Sequence, residues 1–104
     1  VCVDHGDWHK NKKKIRLVDP NLLNHIMVAY EPVEAIGSGQ NQDPQQVDLV
    51  VAEIQQAFGQ RPVLYGGSVD QANIKDYFDV CDGVLVGGAS LEADQFIELI
   101  KAVI

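Results

Sequence analysis

Four short apolar runs, each followed by a segment of helical spacing, set the limits on how this chain can fold. The runs are Val1-Cys2-Val3, His25-Ile26-Met27-Val28-Ala29-Tyr30, Pro62-Val63-Leu64-Tyr65 and Gly83-Val84-Leu85-Val86. Each is continuous rather than alternating, the pattern of a strand covered on both faces, as in parallel sheets. After the second run, Asp43 suits a helix cap, Pro44 the first helical position and Gln46 the reciprocal partner of the cap. Val47, Val50, Val51, Ile54 and Phe58 then share one face, and Gly59 ends the helix. Ser68-Val69-Asp70-Gln71 reads as a second start, opening a helix with Ile74, Tyr77 and Phe78. The last helix would turn Phe96, Ile97, Ile100 and Val103 inward. Strand followed by helix, about four times over, predicts an α/β fold of parallel βα units in one domain spanning residues 1–104.

Composition narrows the functions such a fold could serve. With 46% apolar residues in 104, the chain can bury a sizeable core. A formal net charge of −7 speaks against a general nucleic-acid or membrane-surface binder, whose partners attract basic surfaces. It does not speak against a small anion, which local dipoles can hold. No apolar run approaches the ~18 residues of a membrane span, and no signal peptide is read. Cys2 and Cys81 lie among apolar residues without a CxxC pair, so both are expected to be buried thiols in a reducing, cytoplasmic setting. The lack of a lead-in before Val1 is what a piece of a longer protein, or a natural split, would show.

The first connection is irregular. Asp4, His5, Asp7 and His9 stand at spacings a metal could use, but no strand fixes a third ligand and Gly6 weakens helical pairing of the histidines. Lys10, Lys12, Lys13, Lys14 and Arg16 read as a solvated face in preference to a phosphate or RNA patch. Neither a metal nor a cofactor is expected.

The chemistry gathers where the strands end. Glu31 closes an apolar run and precedes Pro32, which fixes an extended exit. Helix-start signals wait until Asp43, so a loop of about eleven residues, with Gly37 and Gly39, overhangs that end. Loops of this length at a site are often lids. Gly66-Gly67-Ser68 follows the third run and Gly87-Gly88-Ala89-Ser90 the fourth. Glycine lets main-chain N–H groups approach a ligand, and successive N–H groups before a helix make an anion site. In βα barrels, phosphate commonly binds at the loops after the last two strands. One Gly-Gly pair is a weak signal; two at strand ends, each with a serine close behind, are a stronger one.

Three segments in order resemble the triosephosphate isomerase family. Residues 29–39 are similar to its lid, which typically reads AYEPVWAIGTG. Tyr65-Gly66-Gly67-Ser68 resembles its YGGS loop, and residues 82–91 resemble its final DGxLVGGASL segment. The resemblance covers about residues 26–104; residues 1–3 fit the fifth strand of that barrel, and 4–25 fit poorly. It implies a (β/α)8 barrel, of which this chain supplies the C-terminal half, strands five to eight. It implies isomerisation of glyceraldehyde 3-phosphate and dihydroxyacetone phosphate, with Glu31 as the base that moves a proton between adjacent carbons. Gly37, Ser68, Gly87 and Gly88 would offer main-chain N–H groups to the substrate phosphate. Ile36 would cover the Glu31 carboxylate when the lid shuts, while Tyr65 and the Ser68 side chain, the latter near Gly39, would hold the lid closed.

There are departures. Glu34 stands where the family usually has Trp, at the lid's first hinge, which points to altered closure rather than a lost base. Gln40 and Asn41 form an ordinary second hinge. After Cys2-Val3 the family continues Gly-Glu-Thr, whereas Asp4-His5-Gly6 stands here. The family's substrate lysine and electrophilic histidine belong to its N-terminal half and match nothing here. His25 precedes a strand and belongs at the opposite rim. The expectations are therefore an isomerase half that needs its N-terminal counterpart or a second copy of itself as a homodimer, or else a non-catalytic, phosphate-binding or self-associating half-barrel. An unrelated sugar-phosphate barrel, such as a synthase of amino-acid biosynthesis, shares the glycine loops but not the Tyr-Glu-Pro lid.

Overall fold

The computed structural model describes residues 1–4 and 19–104. The histidines of the metal reading and the basic cluster lie outside the described residues. Four strands form one sheet in the order of the chain: β1 (Cys2–Val3), β2 (Val28–Tyr30), β3 (Val63–Gly66) and β4 (Gly83–Leu85). All three pairings are parallel, with Val3 beside Tyr30, Tyr30 beside Tyr65 and Tyr65 beside Val84. The helices are α1 (Pro20–Leu23), α2 (Pro44–Phe58), α3 (Ile74–Phe78) and α4 (Ala93–Lys101).

Local chemistry accounts for most boundaries. The Asp43 carboxylate accepts from the Gln45 N–H at 2.8 Å and Pro44 opens α2. Gly59 stops it with φ +81°, a left-handed conformation that favours glycine. Val47, Val50, Val51 and Ile54 bury the inner face of α2 against the sheet. Tyr30, Tyr65, Ile54, Val28, Val47 and Val63 are wholly buried, each such apolar side chain contributing about 1.5–3 kcal/mol of burial. Asp82 aligns β4 with β3: its carboxylate accepts from the Val63 N–H at 2.8 Å, and its N–H donates to Val63 O at 2.9 Å.

Several expectations are corrected. His25 lies in a turn and Met27 is exposed, so β2 starts at Val28; without a partner strand beside it, an apolar stretch is only an apolar stretch. The helix expected from Ser68 begins at Ile74. Asp70 instead caps a turn, accepting from the Ala72 and Asn73 N–H groups at 2.8 and 3.1 Å, and Ser68 turns elsewhere. Of α4, Leu99 is buried, while Phe96, Ile97 and Ile100 remain 37%, 47% and 39% exposed. The cause is position: α4 follows β4, an edge strand with no further strand to flank it. Coverage on both faces holds for β2 but not for the edges, where Cys2 and Leu85 are exposed. Cys2 is thus not a buried thiol, and Cys81 is half-buried. Among the described residues, no helix is long and apolar enough to cross a membrane.

Burial pushes the Cys81 thiol from 9.0 up to about 12, with the Asp82 and Asp48 charges adding to it. Burial likewise raises the Tyr30, Tyr65 and Tyr77 phenols from 10.0. The unfolded chain therefore loses these protons at lower pH than the folded one, and stability present below pH 9 is lost as pH rises. Melting temperature should be insensitive to pH near neutrality and fall from about pH 9 upward. Cys81→Ser should flatten the part of the fall below pH 10 and leave the tyrosine part, read by thermal melts across pH.

Candidate active site

The parallel register brings every strand's C-terminal end to one rim. Glu31 follows β2 directly, its N–H donating to Val3 O at 2.9 Å. Gly66, the last residue of β3, lies beside Leu85 of β4, and Gly87 and Gly88 follow. A cleft of about 470 Å³ opens at this rim, lined by Glu31, by Ile36, Gly37 and Gly39 of the 31–43 loop, and by the 66–70 and 85–89 loops. Gly66 lets the carboxylate in: a Cβ there would sit 2.7 Å from Glu31 Cγ. On the other side, the Cys2 thiol shares a hydrogen bond with Glu31; that bond, then partial burial and the carboxylate charge, raise the thiol's pKa.

The 31–43 loop is fastened at both ends. Pro32 leaves the sheet in extended geometry, and the Val33 N–H donates to Asp4 Oδ1 at 3.2 Å as a short 3-10 turn, Val33–Ala35, begins. Gly37 and Gly39 follow with φ +62° and +73°. The Gly39 N–H donates to Ser68 Oγ at 2.9 Å, and that hydroxyl donates to Ala35 O at 2.9 Å. This is where the Ser68 side chain goes instead of capping a helix. Gln42 ends the loop among three tyrosines: Tyr30 OH donates to Gln42 Oε1 at 2.7 Å, Tyr77 OH to Gln42 O at 2.7 Å, and Tyr65 OH accepts from the Gln42 N–H at 3.2 Å. Tyr65 and Tyr77 stack, with centroids 4.2 Å apart.

Glu31, Ile36, Gly37, Gly39, Ser68, Gly87 and Gly88 thus meet at a single cleft, and Tyr65 stands beneath it. His25 is not among its lining residues, and among the described residues no lysine, arginine or histidine lines it. Sequence reading missed two residues. Nothing local marks Gln42, and Asn41, an ordinary hinge by sequence, bonds both main-chain groups of Ser68. The one available signal was the recurrence of tyrosine at Tyr30, Tyr65 and Tyr77, whose hydroxyls need partners once buried.

Parallel βα units with a carboxylate and glycine-rich loops at the C-terminal rim define the architecture of a βα-barrel site. The family profile described as triosephosphate isomerase matches residues 8–103. The chain is similar to proteins named triosephosphate isomerase from Campylobacter jejuni (41% identical over 93 residues, 86% of this chain and 40% of the relative) and Campylobacter concisus (45% over 92 residues, 86% and 40%). It is also similar to the one from Mycoplasmoides gallisepticum, 38% identical over 102 residues, 88% of this chain and 40% of the relative. The chain belongs to the triosephosphate isomerase family, whose fold is the TIM barrel. It spans about 40% of the length of these curated relatives. The match takes in residues 8–25, which the motifs alone leave outside.

Ser68→Ala removes both hydroxyl bonds to the loop. The Gly39 amide should then exchange with solvent roughly five- to tenfold faster, as loss of one net hydrogen bond implies, with the core amides of β2 and β3 unchanged. Unchanged exchange at Gly39 would show that the hydroxyl does not fasten the loop.

Proposed function

We propose that this chain supplies the base and the phosphate-binding loops of a triosephosphate isomerase, as the C-terminal half of its barrel. The observation that supports this most is the shared cleft: the Glu31 carboxylate faces the same space as Gly37 of the loop above it and as Gly87 and Gly88 of the last strand's loop. In this reading the 31–43 loop is a lid. Main-chain N–H groups of Gly37, Ser68, Gly87 and Gly88 hold the substrate phosphate without any fixed positive charge, as a dipole site can. Ile36 and the lid exclude water above the carboxylate.

The chemistry is that established for triosephosphate isomerases. Glu31 takes the proton from the carbon beside the carbonyl of glyceraldehyde 3-phosphate or dihydroxyacetone phosphate. The electron pair moves onto the carbonyl oxygen, giving an enediolate; Glu31 returns the proton to the neighbouring carbon, whose hydroxyl proton passes to the former carbonyl oxygen as the new carbonyl forms. Negative charge built on that oxygen needs a donor or cation. The cleft's described lining offers no cationic side chain, and its main-chain N–H groups are given to the phosphate, so the lysine and histidine of the family's N-terminal half are required. Association with that half, or with a second copy in a cytoplasmic homodimer, would also cover the exposed apolar residues of α4. A non-catalytic, phosphate-binding half-barrel is the second reading, and the absence of a cation among the cleft's described lining residues favours it for the chain alone.

The chain alone should turn over glyceraldehyde 3-phosphate at the rate of buffer in a coupled assay. Robust activity that Glu31→Gln abolishes would refute the need for outside residues. Fused behind the N-terminal half of the Campylobacter jejuni relative, the chain should gain isomerase activity, and Glu31→Gln should lower it by about 10²–10⁴-fold, the usual worth of a general base. A fusion that folds and stays inactive would favour the non-catalytic reading.

A further inference from the structure

Asn41 makes a contact that isomerase chemistry does not call for. Its Oδ1 accepts from the Ser68 main-chain N–H at 2.7 Å, and its Nδ2 donates to Ser68 O at 2.7 Å. One carboxamide thereby pairs with both polar groups of one residue, as a neighbouring strand would. Tyr65 OH donates to the same Oδ1 at 3.3 Å. Gly67 leaves room for this arrangement: a Cβ there would lie 2.7 Å from Asn41 Oδ1 and 2.5 Å from the Tyr65 hydroxyl. Asn73 Nδ2 also reaches Ser68 O, at 3.1 Å, so the carbonyl keeps a partner whatever Asn41 does.

The consequence is competition for one proton. A main-chain N–H has a single hydrogen, and at 2.7 Å it is committed to its acceptor. We propose that Asn41, which does not itself line the cleft, is a positioning residue that holds the Ser68 N–H toward the 31–43 loop and yields it when a phosphate oxygen arrives. This rests on the reading of the cleft as a phosphate site. Asn41 then sets the affinity. Every phosphate that engages Ser68 must first break the Asn41 bond, which keeps the amide paired in the meantime, as a half-buried N–H requires.

The test is titration of the full 104-residue chain with inorganic phosphate, following the amide resonances of Gly37, Ser68, Gly87 and Gly88. Asn41→Ala should bind phosphate about three- to tenfold more tightly, the worth of one net hydrogen bond, with a larger shift at the Ser68 amide. Asn41→Asp should bind more weakly than the parent chain, because it keeps the acceptor and adds a charge that repels the anion. A merely structural role would weaken binding in both variants. If Asn41→Ala does not fold, Asn41→Ser, whose side chain cannot span both Ser68 groups, serves in its place with the same expectation. Equal or weaker binding by the alanine or serine variant, with Gly87 and Gly88 still responding, overturns the role of Asn41 and leaves the phosphate site standing. No response at Gly37, Gly87 and Gly88 in any protein overturns the phosphate site, and the role of Asn41 with it.

Discussion

The in-register parallel ladder is the constraint on which the rest of this molecule depends. Val3, Tyr30, Tyr65 and Val84 lie in one row across four strands. Parallel strands all exit on the same side, so the residues that follow this row share one rim. Glu31, Gly66 and Gly87 are there because of where their strands end, not because they attract one another. A slip of one residue in β2 would turn its inward side chains outward and carry the carboxylate away from the glycine loops. The small residues of the rim are part of the same constraint, since the space beside Glu31 Cγ exists only while Gly66 lacks a Cβ.

The loop above the rim takes its position from the core beneath it. Tyr30 and Tyr65 are wholly buried and Tyr77 nearly so, yet each carries a hydroxyl that needs a partner. Gln42 meets that need with its side-chain oxygen, its carbonyl and its N–H. A loop end that satisfies three phenols is held by the cost of leaving them unpaired in a low-dielectric interior. The middle of the loop is held by the Ser68 hydroxyl, through its bonds to Gly39 and Ala35. The loop is thus held at its ends and at its middle, with two glycines at positive φ between.

The same sheet explains what is unfinished about the surface. Strand β4 has a neighbour on one side only, and α4 packs Leu99 while leaving Phe96, Ile97 and Ile100 partly in water. A four-stranded parallel sheet keeps two edges, whereas a closed barrel has none. The family to which the chain belongs builds closed barrels, and this sequence spans about 40% of its curated relatives.

By itself, the sequence determined the order of the four strands and of the helices after the second, third and fourth, but not the short α1. The Asp43 and Pro44 cap, the Gly59 stop and the glycines after the second, third and fourth strands are local signals, and α2 begins and ends where its signals fall. Local signals do not say where a strand stops having a partner, as at His25 and Met27, nor which face of α4 a neighbour covers. They could not reveal Asn41 and Gln42, whose partners stand 12 to 35 residues away. Such pairings are chosen by which buried hydroxyls and main-chain groups are left without water after the sheet forms. Only the tertiary structure decides that, because an unpaired polar group costs energy only once folding has taken its solvent away.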